Sequence, residues 1–180
     1  MKISGILASV FVLTLLAGCG EDAPEKVNPL EATKWLSDNG YTVNKEGLER
    51  AIDKFDERAI RYLGSLDDGG KKFAGDVFVI TVGSCKNTQT GWFYKPDECR
   101  KLAKLLLDAG VPLDYRRTFN SGDRGAKVEA TVFNVLELSY EDIFGSPFTR
   151  DSLAPEQAPH YDEFVKARPA VLEYLKDRQN

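Results

Sequence analysis

Three stretches of the chain repeat one pattern of apolar and polar positions. Residues 32–44 read ATKWLSDNGYTVN, residues 59–67 AIRYLGSLD, and residues 102–114 LAKLLLDAGVPLD. In each, two small or apolar residues (Ala32-Thr33 in the first) precede a basic residue and then a pair of bulky apolar ones. Lys34 aligns with Arg61 and Lys104, and Trp35-Leu36 with Tyr62-Leu63 and Leu105-Leu106. Apolar residues at this spacing line one face of a helix, so each stretch predicts an amphipathic helix. The first and third continue into Asp-x-Gly, which puts Gly40 and Gly110 where a left-handed residue stops a helix. In the second, Asp67 stands in place of glycine.

The pattern extends to helix pairs. Residues 47–63, GLERAIDKFDERAIRYL, read as a first helix with Leu48, Ala51 and Ile52 inward, a turn at 54–56, and a second helix with Ala59, Ile60 and Leu63 inward. Residues 75–85 and 128–138 are rich in β-branched side chains, which alone favour strand. Each is followed by a helical pattern, at 97–108 and 161–177, across insertions at 86–96 and about 140–160. They are therefore expected as first helices of further pairs, or else as strands, over 77–82 and 128–138, of an α+β fold. Pro169 predicts that the last helix is two short pieces or starts afresh there.

Residues 102–110, LAKLLLDAG, resemble the second helix of the ankyrin repeat, Val-Val-Lys-Leu-Leu-Leu-Glu-Ala-Gly in that family. The resemblance covers roughly residues 30–178 and is strongest over 30–67 and 97–114. It implies an all-α, ankyrin-type helix-turn-helix solenoid of about four divergent repeats with insertions. Residues 75–85 and 128–138 lack the family's Thr-Pro-Leu-His signature. From Gly40 to Asp67 is 27 residues, against about 33 for an ankyrin period. That deficit fits loss of the hairpin finger between the first two units.

The N-terminus changes the picture of where such a domain would work. After Lys2 the chain is apolar to Gly18, shorter than the about 20 residues of a membrane span and patterned as a secretory signal. Leu16-Ala17-Gly18-Cys19 resembles the lipobox of bacterial lipoproteins, which implies lipidation of Cys19 and cleavage before it. The expected organisation is a signal peptide at 1–18, a lipidated cysteine and polar tether at 19–29, and a domain at 30–180. Gly20 after the cysteine implies, by the same resemblance, an outer-membrane anchor facing the periplasm. Losing Lys2 leaves 23 basic against 28 acidic residues, a balance of −5, which argues against nucleic acid or anionic lipid as a partner. Cys85 and Cys99 remain as an even pair in an oxidising compartment, so one disulfide is expected. It would staple the base of the 86–96 insertion and contribute about 3 kcal/mol. One histidine and no Cys-x-x-Cys pair make a metal site unexpected.

Catalytic groupings are sparse. His160, beside Pro159 in what reads as a Pro-rich loop, is the sole candidate for a Ser-His-Asp arrangement. Residues 121–125, SGDRG, lack the Lys-Ser/Thr of a phosphate loop and read as a finger tip whose glycines supply positive φ. Neither an enzyme nor a cofactor is expected. Trp92, Phe93 and Tyr94 lie in the first insertion, and Tyr115, Arg116, Arg117 and Phe119 in the finger after Gly110. Interface hot spots favour Trp, Tyr and Arg, and ankyrin-like proteins bind through fingers and the first-helix face. The resemblance therefore makes these seven residues partner-binding candidates, although Trp92 and Phe93 could equally fold back as a satellite core. Arg116 and Arg117 have no evident internal partner and point to an acidic protein. The expected function is a monomeric, lipid-anchored protein-binding module, with an immunity protein against a periplasmic effector as the narrower case. The competing class is a small-ligand-binding or enzymatic α+β envelope lipoprotein. It would need a deep polar pocket near His160 or the 86–96 loop, which a solenoid is not expected to supply.

Overall fold

The computed structural model describes residues 27–68, 70–87, 89–120, 127–137, 155 and 158–179. The signal, Cys19, most of the tether, and the finger tip at 121–126 lie outside these residues. The described chain is mostly helical. In order it forms α1 (Pro29–Asp38), α2 (Lys45–Asp53), α3 (Glu57–Ser65), α4 (Ala74–Val77), a π-helical segment (Phe78–Val82) continuous with α4, and α5 (Pro96–Asp108). There follow β1 (Arg117–Asn120), β2 (Lys127–Ala130), α6 (Val132–Glu137) and α7 (Ala158–Asp177).

Local chemistry sets the helix ends. Asn28, Asn44 and Asp56 each accept a backbone N–H from the first turn of α1, α2 and α3, satisfying donors that have no partner inside the helix. At the far end of α1, Gly40 has φ +76. Its N–H donates to Ser37 O, and Tyr41 N–H donates to Leu36 O. At the end of α5, Gly110 has φ +98, and the same two bonds run from Gly110 to Leu107 and from Val111 to Leu106. Both ends are Schellman motifs, at the aligned glycines. The middle copy ends otherwise. Asp68 carries the positive φ, +53, and Asp67 is fully buried. The Asp67 carboxylate accepts from Phe73 N–H and Ala74 N–H at 2.7–3.1 Å, so the residue that replaces glycine caps the start of α4.

The helices pack in two series. α1, α3, α5 and α7 touch in succession, as do α2, α4 with its π segment, and α6. The series join through α2 with α3, the π segment with α5, and α6 with α7. One apolar core runs from Leu36 through Leu48, Leu63, Phe78 and Leu106 to Leu175. Close approach needs small residues: a Cβ on Gly64 of α3 would lie 2.6 Å from the Cβ of Ala109 after α5.

One expectation is met and three are changed. Residues 77–82 are helical, as expected for a first helix, with Phe78 and Val82 in the main core while Val79 packs with Ala130 and Val135. Covered on more than one side, the segment needs no alternation, and packing overrides β propensity. Residues 128–138 are neither one helix nor one strand. Lys127–Ala130 pairs with β1, with Arg117 opposite Ala130 and Asn120 opposite Lys127. The chain then turns at Thr131, whose Oγ1 accepts from Asn134 N–H while Asn134 Oδ1 accepts from Thr131 N–H, and α6 starts. α7 runs unbroken through Pro169. Val165, which loses its backbone donor there, is 50% exposed, so water can replace the missing bond. His160 lies in the first turn of α7 rather than in a loop.

Candidate functional site

The described residues of the 86–96 insertion form a turn docked on the core. The disulfide Cys85–Cys99 closes it, with Cα atoms 5.6 Å apart. Lys86 and Phe93 form an antiparallel bridge, Tyr94 N–H donates to Cys85 O and Asn87 N–H to Trp92 O. Asn87 is buried and organises the tip. Its Oδ1 accepts from Gln89 N–H and Thr90 N–H, and its Nδ2 donates to Asp53 Oδ1 at 3.0 Å. The turn is thereby tied to the end of α2.

That docking decides what the three aromatics do. Phe93 and Tyr94 are 6% and 8% exposed and belong to the core, whereas Trp92 is 41% exposed. The expectation of three exposed contact residues is corrected for Phe93 and Tyr94: the docked turn buries both of these adjacent side chains in the core. Only Trp92 remains on the surface.

Around Trp92 lies a cleft of about 610 Å³. Asp53 and Phe55 reach it from the α2–α3 turn, Trp92 and Tyr94 from the insertion, and Asp97, Glu98 and Lys101 from the start of α5. This is an open cleft rather than the deep polar pocket that the competing class would need, and the insertion itself builds one wall. Two of its charges are already engaged: Asp97 pairs with Arg100, and Lys101 Nζ lies 2.6 Å from Glu57 Oε1 and 5.7 Å from the Phe55 ring centre. Glu98 accepts from Lys95 N–H at 2.9 Å. The Tyr94 ring meets Phe55 edge-on at 6.5 Å, and its buried hydroxyl has no hydrogen-bond partner. Burial pushes the Tyr94 phenol well above its ordinary range; the Asn87 amide opposes this, and the charges of Asp53 and Glu98 add to it. No partner, Asn87 included, meets the hydroxyl in hydrogen-bond geometry.

The finger candidates sit elsewhere. The Tyr115 ring lies over Gly75, where a Cβ would come within 2.5 Å of it, and its hydroxyl donates to Asp76 Oδ1 at 3.1 Å. Burial first, then the Asp76 charge, raises the Tyr115 phenol. Arg117 was expected to lack an internal partner. Its Nη1 instead donates to Asp76 O at 3.3 Å, and its guanidinium lies 5.1 Å from the Phe119 ring. Phe119 packs on Val79, Ala130 and Val135. Arg116 is the exposed member of the group.

Asp53, Phe55, Asn87 and Glu98 were not expected at a site. Only Asn87 carried a sequence signal, as the start of a polar stretch ending in glycine that favours a tight turn. Among the described residues, no helix is long and apolar enough to cross a membrane, and no group of three or more His, Cys, Asp or Glu converges to hold a metal ion. No protein family, curated protein or solved structure matches the chain.

Proposed function

We propose that the chain is a lipid-anchored protein of the bacterial cell envelope, held at the outer membrane through Cys19 and facing the periplasm, whose ankyrin-type repeats bind a protein partner. The observation that carries this reading is the pair of Schellman stops at aligned positions, Gly40 and Gly110, on helices that stack in series. Stacked helix pairs bury a continuous core while leaving loops and fingers on one edge as contact surface. Trp92 and Arg116, exposed on the insertion and the finger, are the residues such a partner would meet first. Immunity to a periplasmic effector is the narrower case.

Photocrosslinking residues placed at Trp92 and Arg116 test it in living cells. One discrete adduct from both positions, absent from the exposed Lys34 and Lys176, is expected. Adducts from every position alike, or from none, would reject the reading. Cys19→Ala should move the protein from the membrane to the soluble fraction, and retention in the membrane would remove the anchor from the proposal. Co-expression with a cognate effector should relieve its toxicity if the immunity case holds. A second reading, small-ligand binding, is favoured by the cleft beside Trp92.

A further inference from the structure

The end of the domain that receives the tether carries three features with no role inside the fold. The first is a basic residue left over from the repeat. Lys34 and Lys104 pair with Asp38 and Asp108, each four residues on. At the aligned place in α3, Ser65 follows Arg61, and among the described residues the Arg61 guanidinium has no hydrogen-bond, ion-pair or ring partner. Arg61 instead lines a cleft of about 470 Å³ between α3 and the start of α1. Arg58 lines it too, 4.6 Å from the Trp35 ring centre and donating to the Tyr62 hydroxyl at 3.1–3.2 Å. The second feature is an acid. Of the two carboxylates lining this cleft, Glu57 is taken by Lys101, whereas that of Glu31 is unpaired among the described residues. The third is Leu30, 82% exposed, the highest value among the large exposed apolar side chains. Side chains lean toward the N-terminus of their helix, so Leu30 and Glu31 lean to the end where the tether joins. Val27, in the wall of the same cleft, is eight residues from Cys19, a span of at most about 29 Å.

We propose that this end of the domain docks on the membrane that holds the anchor, with Arg61 and Arg58 on the phosphate and Glu31 on the ammonium of zwitterionic phospholipid headgroups, and Leu30 in the interface. The inference rests on the lipid anchor at Cys19. A guanidinium presents paired donors that match phosphate oxygens, and an ammonium supplies only donors, which a carboxylate accepts. A cleft that holds one unpaired cation and one unpaired anion matches a headgroup that carries both charges and no net one. A surface of net negative charge would repel a chain whose own balance is acidic. An acidic protein segment would satisfy Arg61 and meet Glu31 with like charge. One leucine and a few exposed polar contacts bind weakly alone. The anchor makes them intramolecular, at an effective concentration on the order of millimolar, where weak contacts suffice.

The test uses the lipidated full chain, labelled with ¹⁵N, in nanodiscs of phosphatidylethanolamine and phosphatidylcholine that carry a trace of headgroup-spin-labelled lipid. The Leu30, Glu31 and Arg61 amide resonances should be lost to paramagnetic broadening. Those of α7, at the other end of the series α1, α3, α5, α7, should persist. Arg61→Gln and Leu30→Ser should each restore the Glu31 resonance, with the protein still in the disc and its amide dispersion retained, and unchanged broadening in both would overturn the proposal. Lengthening the tether by about ten Gly and Ser residues separates docking from nearness: the broadening should persist, and its disappearance would overturn the proposal. In discs of phosphatidylglycerol alone, which offer phosphate without ammonium, the broadening should be lost, and equal broadening would overturn the headgroup assignment. Protein adducts from a photocrosslinking residue at Arg61, in place of lipid adducts, would give this face to a protein partner and reject docking. A chain that stays in the disc with α1 and α7 broadened alike, or neither, rejects docking and leaves the anchor intact. A purified chain without acyl mass on Cys19 removes the anchor and this proposal with it.

Discussion

The 86–96 insertion and the finger that begins after Gly110 look alike in composition, each with clustered aromatics and cationic residues. They are built oppositely. The insertion is closed at its base by Cys85–Cys99 and sends Phe93 and Tyr94 into the main core. The finger is held by a two-stranded ladder and by Asp76, and its aromatics, Tyr115 and Phe119, rest half-buried on the small Val79 cluster. An aromatic cluster in a loop therefore says little about exposure until the loop's anchorage is known. A short covalent base and a tip tied to α2 hold Phe93 and Tyr94 inward, whereas a hairpin without a core beneath both faces leaves the second at the margin.

The difference can be broken most forcefully at Phe93. Phe93→Ala should reduce stability to urea by about 3–4 kcal/mol, and Phe119→Ala by roughly half as much, because only the first leaves a cavity in the main core. Equal losses would erase the distinction between the two loops. Next in size, replacing Cys85 and Cys99 together with alanine should lower stability by about 3 kcal/mol, for a cross-link spanning 14 residues. Its effect should fall on protection of the Trp92 turn rather than on the finger amides, as hydrogen exchange would show.

The tyrosines sharpen the contrast. Tyr115→Phe removes a hydroxyl bonded to Asp76 and should destabilise by about 1 kcal/mol, while Tyr94→Phe removes an unpaired buried hydroxyl and should be neutral or stabilising. Both phenols are raised in the folded state, so folding favours their protonated forms. That contribution is complete below about pH 10, the ordinary tyrosine value, and is lost as pH rises above it. Alkaline unfolding curves should flatten in each variant, and curves that overlay the parent would contradict the assignment. The smallest effect is expected at the exposed Arg116, where Arg116→Ala should change stability by no more than about 0.5 kcal/mol while reducing the crosslinked adduct.

Much of the helical frame was legible. The spacing of Leu102, Leu105 and Leu106 and the Asp-x-Gly exits located α1, α3 and α5 and both glycine stops, because these rest on contacts within one turn. The cysteine pairing was legible by elimination once compartment and count were considered. Residues 75–85 were legible as helix only from the helical pattern that follows them: a segment buried on more than one side shows no period, so its β-branched residues alone could be read either way. Residues 128–138 misled because the switch from ladder to helix turns on Thr131 and Asn134, two polar residues inside an apolar run. The cleft was illegible for a different reason. Asp53 and Glu98 are separated by most of two helix pairs, and nothing local marks two solvated acids as neighbours. They come to line one cleft only because α5 packs against α3 and the π segment, with the insertion tied to α2 between them.

The hydrogen bonds that close α1 and α5 at Gly40 and Gly110 each span five residues or fewer. The bond from Asn87 to Asp53 spans 34. Loops of the first kind close in tens of nanoseconds and lose little chain entropy, whereas the second waits on long-range assembly. The chain thus acquires its punctuation before its architecture. The ends of α1 and α5 are set locally and independently of each other, and the cleft is completed only when a long-range tie is made.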